Sequence, residues 1–135
     1  MSVTFEGGCS CGAIRYRIAG EPLARSLCHC RSCRLAVGAS PVAWLVVQRQ
    51  DLSFTTGQPI HYRSSPNVER GFCSVCGTSL TYQDAASPGT IDITASTLDH
   101  QEYFVPTREV WVEHRPSWLP AVPRLAQFPD SSQGR

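Results

Sequence analysis

Seven cysteines fall in three tight clusters, and no other feature constrains this chain as strongly. The clusters are Cys9-Ser10-Cys11, Cys28-His29-Cys30-Arg31-Ser32-Cys33 and Cys73-Ser74-Val75-Cys76. An odd count leaves one thiol over in any disulfide framework. The opening MSVTFEGGCSCG has neither the basic stretch nor the apolar stretch of a secretory signal, so the expected location is cytoplasmic. In that reducing compartment clustered cysteines point to metal rather than disulfides. A chain of 135 residues is one domain long and can bury a core of its own, so metal need not carry all of its stability.

Charge and hydropathy exclude several functions. Twelve basic and eleven acidic residues give a net charge of +1, with no basic footprint for nucleic acid. All twelve basic residues are arginine, which rules out Schiff-base chemistry on a lysine. The longest apolar run, Val42 to Val47, is strand-sized and far short of the roughly 20 residues a membrane helix needs.

Ten prolines and ten glycines cut the sequence into short pieces, the pattern of a mainly β chain with little helix. Ala13 to Ala19 alternates as a half-buried strand, and Pro41 to Gln48 reads as a more fully buried one. Further short strands are expected at Leu52–Thr55, Ile60–Arg63, Val68–Phe72, Leu80–Tyr82, Thr90–Thr94 and Arg108–Val112. Only Ser32 to Val37 suits a helical turn or two, with Gly38 placed to end it. The expected organisation is one domain over 1–128 and a frayed tail over 129–135.

Two cysteines separated by two residues, as in Cys73 and Cys76, can wrap one metal ion in a turn whose N–H groups point at the sulfurs. Gly77 permits the positive φ that such a turn needs. Redox dithiols share the spacing but usually open a helix, whereas β-like segments flank this pair. Cys9 and Cys11 would stand too far apart in a regular strand, and Gly7, Gly8 and Gly12 relax that segment into a turn. Four thiolates from two such turns make a closed site that contributes to folding. Counting alone does not decide whether the first cluster pairs with the third or with the second. The central run of Cys28, Cys30 and Cys33 is different, since three protein ligands plus an exchangeable position is the arrangement of catalytic zinc. Arg31, Arg34 and Arg70 are candidates to offset the net charge of about −1 on such a site.

Other readings of these residues stand beside the metal one. His29 is either a fourth ligand or, flanked by two ligands, a ring turned away from the metal, which is the expectation. The central cysteines could also be metal-free buried thiols. His61 reads as a packing or surface residue and His100 as a loop residue. His114 is either structural or a site residue that relays a proton. Trp111, Trp118 and Phe104 read as core.

The segments GGCSCGAIRY, CHCRSC and RGFCSVCGTSLTY, followed by GTIDITASTLD and HRPSWL, resemble the glutathione-dependent formaldehyde-activating enzymes and the related centromere-protein-V-type domains. The resemblance covers about residues 3 to 120. It implies an Mss4-like fold of short antiparallel β-sheets pinned by zinc, with two Zn²⁺ per chain. It also implies that Cys9, Cys11, Cys73 and Cys76 share a structural ion while Cys28, Cys30 and Cys33 hold a second, open one. The implied activity is that of a carbon–sulfur lyase forming or cleaving a thiol–aldehyde adduct such as S-hydroxymethylglutathione. Its partners would be a small thiol such as glutathione and a small aldehyde, with the Cys28, Cys30 and Cys33 site and His114 as the catalytic candidates. The alternative from another class is a non-catalytic, zinc-stabilised protein-binding module.

Overall fold

The computed structural model describes residues 3–131. Of the tail expected over 129–135, residues 132–135 lie outside the described residues, while the carbonyls of Pro129 and Asp130 accept hydrogen bonds from the N–H groups of Glu113 and Trp111. In chain order the strands are β1 (Thr4–Gly8), β2 (Arg15–Ala19) and β3 (Ala24–Cys28), followed by helix α1 (Arg31–Val37). Then come β4 (Val42–Gln48), β5 (Leu52–Thr56), β6 (Ile60–Ser65), β7 (Val68–Phe72), β8 (Ser79–Asp84), β9 (Thr90–Thr94), β10 (Arg108–Val110) and β11 (Ala126–Gln127). The chain is mainly β. Among the described residues no helix is long and apolar enough to cross a membrane.

Two sheets result, one of order β1-β2-β5 and one of order β11-β10-β3-β4-β9-β8-β7-β6. Pairing is antiparallel except at β10, which runs parallel to both β3 and β11. Alternation explains how the sheets meet. Tyr16 and Ile18 of β2 turn inward with Phe5 and Leu52, against Leu45, Val47, Leu80, Ile91 and Ile93 of the larger sheet. Each fully buried apolar side chain contributes about 1.5–3 kcal/mol. Strand β4 is buried on both faces, as its unbroken apolar run suggested, and its other face carries Val42, Trp44 and Val46. Val42 and Trp44 join Cys28, Cys33 and Val110 in a second, smaller cluster.

Several boundaries differ from expectation for local reasons. Strand β2 starts at Arg15 rather than Ala13, because the Ile14 N–H donates to Cys9 Sγ and the Ile14 carbonyl accepts from the Cys9 N–H. Strand β10 stops at Val110 rather than Val112, because Trp111 adopts a left-handed φ of 56°. Helix α1 ends where expected, at Gly38 with φ 76°. Strands β1 and β3 were not anticipated.

Candidate metal centre

The turn between β1 and β2 carries Cys9 and Cys11, and the turn between β7 and β8 carries Cys73 and Cys76. The two turns share one design. Gly12 N–H donates to the Cys9 carbonyl at 3.2 Å, and Gly77 N–H donates to the Cys73 carbonyl at 2.9 Å. These glycines have φ of 82° and 81°, which an L side chain rarely adopts. Backbone N–H groups then face the sulfurs: Ile14 on Cys9 Sγ at 3.2 Å, and Val75 and Cys76 on Cys73 Sγ at 3.4 Å each. Ser10 N–H donates to Thr78 Oγ1 at 3.1 Å and ties one turn to the other. Of the two pairings that counting left open, the fold thus brings the first cluster to the third.

The four sulfurs lie within 4.8 Å of one another. Cys9 to Cys11 is 3.7 Å and Cys11 to Cys73 is 3.8 Å. A tetrahedron of 2.3 Å zinc–sulfur bonds has edges of about 3.8 Å, so the donor set fits that ion. The Thr78 hydroxyl and N–H draw the Cys76 thiol down to about 5. Burial works against ionising Cys9, but the Ile14 N–H and the Cys73 and Cys11 thiols bring it below the usual thiol value.

The central cluster is assembled by a strand end and a helix start. Cys28 closes β3. Cys30 caps α1, its Sγ accepting the Cys33 N–H at 3.3 Å, and Cys33 lies in the first turn. The three sulfurs lie within 4.8 Å of one another, and among the described residues no histidine or carboxylate atom joins the group. Such crowded thiols titrate as one unit. Hydrogen bonds from the Cys28 and Cys33 thiols draw Cys30 down to about 3 against its burial, with the Cys33 N–H and Arg70 assisting. Cys28 is pushed up by the same hydrogen bonds and by burial. A bound cation resolves that conflict by keeping every sulfur ionised.

Of the three candidate arginines, Arg70 meets the cluster. It is only 6% exposed, and both terminal nitrogens lie 3.7 Å from Cys33 Sγ. Its Nε donates to Ser64 Oγ at 3.0 Å, and the guanidinium stands 4.9 Å from the centre of the Tyr82 ring. Arg31 stands at the cavity rim, and Arg34 lies away from the cavity lining.

His29 is turned away from the sulfurs and is 1% exposed. Its Nε2 lies 2.6 Å from Glu109 Oε1. Glu109, equally buried, also accepts from Arg115, from the Val122 N–H at 2.7 Å and from Gln127 at 3.0 Å. Burial is the largest influence on this carboxyl and acts upward. The hydrogen bonds from Gln127, His29 and Val122, together with Arg115, outweigh it and hold the group at about 2. This junction had no sequence signal, because its members are spread from position 29 to position 127.

A cavity of about 240 Å³ opens over the central cysteines, between Trp44, Tyr82, Arg70, Val110, Trp111 and His114. His114 is 41% exposed, its Nδ1 accepts the Arg31 N–H at 3.4 Å, and the Trp111 ring stands 5.3 Å away. One of the aromatic expectations needs correction. Trp118 is 72% exposed rather than core, whereas half-buried Trp111 packs against the smaller core cluster and also lines the cavity. Phe104 packs on the larger core. His61 and His100 are exposed and lie away from the cavity.

The chain is similar to known proteins in sequence and in fold. A Halomonas elongata protein, provisionally described as a glutathione-dependent formaldehyde-activating enzyme, is 30% identical over 94% of this chain and 90% of its own length. An uncharacterized lyase of Schizosaccharomyces pombe is 35% identical over 92% of this chain and 90% of its own. A crystal structure of a Rhodobacter sphaeroides protein superposes with a TM-score of 0.59 at 20% identity, over 91% of this chain and 98% of that one, and shows the same fold. Residues 4–114 match the model of one family, and with those full-length relatives they show that the chain belongs to the glutathione-dependent formaldehyde-activating enzyme family.

Proposed function

We propose that the protein is a zinc-dependent carbon–sulfur lyase, forming or cleaving a thiol–aldehyde adduct of the S-hydroxymethylglutathione kind in the cavity over Cys28, Cys30 and Cys33. The observation that carries this reading is a three-sulfur group that no fourth ligand joins among the described residues, opening on a cavity. In this reading Zn²⁺ occupies both cysteine groups, and Cys9, Cys11, Cys73 and Cys76 hold the structural ion. Cys28, Cys30 and Cys33 would hold zinc at the open group, and its chemistry there would be to keep an added thiol as a reactive thiolate at neutral pH.

The chain's own residues do the rest. Arg70 keeps two N–H groups on Cys33 Sγ and so offsets the negative charge that three thiolates concentrate in a buried place. Trp44, Tyr82 and Val110 shield the reacting atoms from water. In the forward direction the sulfur–carbon bond forms, the carbonyl π pair moves to oxygen, and that oxygen takes up a proton. In this reading His114, on the cavity lining, hands it over. Its Nδ1 accepts the Arg31 N–H, which by hydrogen-bond logic leaves the ring proton on Nε2. Reversal of these movements cleaves the adduct.

Replacing Cys30 with Ser tests the assignment, with zinc per chain and adduct turnover both measured. The expected result is loss of one ion and of nearly all turnover. Loss of the ion with unchanged turnover would sink the catalytic role and leave a zinc-stabilised binding module.

A further inference from the structure

The cavity is small and apolar beside the charged tripeptide in the family's name. Its volume of about 240 Å³ falls below the roughly 300–1,000 Å³ of pockets that take drug-sized ligands. The apolar part of its wall is Trp44, Val46, Val68, Tyr82, Val110 and Trp111, beside four serines and Asp92. Glutathione carries two carboxylates and an ammonium, and burying such groups requires opposite charges placed to receive them.

The charges lining the cavity do not answer that need for the two carboxylates. Arg70 already directs both terminal nitrogens to Cys33 Sγ, its Nε to Ser64 and its face to Tyr82. The other charged side chain in the buried wall, Asp92, is acidic and so supplies no opposite charge to a carboxylate. Arg31 is exposed and His114 partly exposed, so both stand at the mouth.

Strand register places the apolar wall relative to the sulfurs. Cys28 faces Val42 across β3 and β4, and Ser26 faces Trp44. The indole therefore begins one two-residue step, about 7 Å, along the strand from Cys28. Tyr82 packs against Trp44, ring centres 6.0 Å apart, so that the two rings form one continuous aromatic surface. A sulfur at the cysteines followed by one or two carbons would set a ring against this aromatic surface.

We infer that the thiol accepted here is compact and carries an apolar group of about aromatic size. This rests on the proposed thiol–aldehyde reading and narrows its substrate class. The test is a titration of cobalt-substituted protein with benzyl mercaptan, mercaptoethanol and glutathione, following the visible bands. Benzyl mercaptan is expected to reach half-saturation at a concentration about tenfold or more below either of the others, the gain from burying one ring. Glutathione binding as tightly as benzyl mercaptan overturns the inference and leaves thiol–aldehyde chemistry standing. Bands unmoved by all three thiols overturn the open-site reading and the inference with it. A metal-independent arm uses benzyl alcohol and zinc-loaded protein in saturation-transfer NMR. Transfer that benzyl mercaptan displaces is expected, and its absence counts against the apolar cavity. In Trp44→Leu the preference for benzyl mercaptan over mercaptoethanol is expected to fall about tenfold, and an unchanged preference overturns the role of the wall.

Discussion

Arg70 reaches the central cysteines from 37 positions away in sequence, and its side chain is used on every edge: sulfur, hydroxyl and aromatic face. A lysine ammonium is a point donor and cannot make two parallel contacts to one sulfur while stacking on Tyr82. Arg70→Lys is therefore expected to weaken metal binding at the three-cysteine group by about 10- to 100-fold, leaving the four-cysteine group unchanged. Chelator competition on the two sites checks this, and equal affinities would mean that the N–H···S contacts are inert. Gly77 poses the opposite problem, since a Cβ there would meet nothing within 4 Å. The cost of Gly77→Ala is then backbone strain alone, about 1–2 kcal/mol by chemical denaturation. Both glycine turns could be read from spacing because their chemistry is local. Arg70 could be read only as one neighbour among three arginines, and Trp44 and Tyr82 carried no local sign of lining a site. Pairing across β3, β4, β9 and β8 is what gathers them.

At the scale of elements, the short parallel strand β10 organises the region behind the cysteines. Runs of β-branched and aromatic residues bounded by turn signals made β4, β7 and β9 legible nearly to the residue. Strand β3, with sequence ARSLC, hid its alternating burial behind polar and unbranched residues, and glycine-rich β1 read as loop. Glu109 of β10 sits opposite Leu27 in register, one step from the Cys28–Val110 pair, and gathers His29 with Arg115, Val122 and Gln127. It thereby pins the peptide between Cys28 and Cys30 from the face away from the sulfurs and anchors the segment that follows His114. Its carboxyl is held at about 2, below its ordinary 4.5. A depressed carboxyl favours the folded state in full above the unfolded value, and that contribution is lost as pH falls from about 4.5 towards 2. Glu109→Gln is expected to cost about 2 kcal/mol at neutral pH. The gap between mutant and wild type should narrow across that acid window in parallel urea titrations. A gap that stays constant with pH would remove the charge from the account.

At the scale of the whole molecule, the four-cysteine group joins a turn of the three-stranded sheet to a turn of the eight-stranded sheet. The apolar core holds the same two sheets together and runs up to those turns, with Cys9 and Cys73 among its members. Metal loss at this group should therefore loosen one end of a folded protein rather than unfold it outright, unlike a zinc finger that lacks a core. The three-cysteine group bridges only a strand end and the helix after it, so its ion should leave first and with little structural consequence. Stepwise chelation, followed by metal content and thermal melting together, is expected to separate the two. The first ion departs with Tm nearly unchanged and abolishes the effect of added thiols. Loss of the second lowers Tm by about 10 °C or more. Cys76→Ser isolates the second step. Cys76 is exposed, so exchanging its sulfur for oxygen disturbs no packing, whereas Cys73 is part of the core. A Tm drop in Cys76→Ser matching that of the chelated protein would assign the clasp to metal. If the whole drop accompanies the first ion instead, the roles of the two groups are reversed.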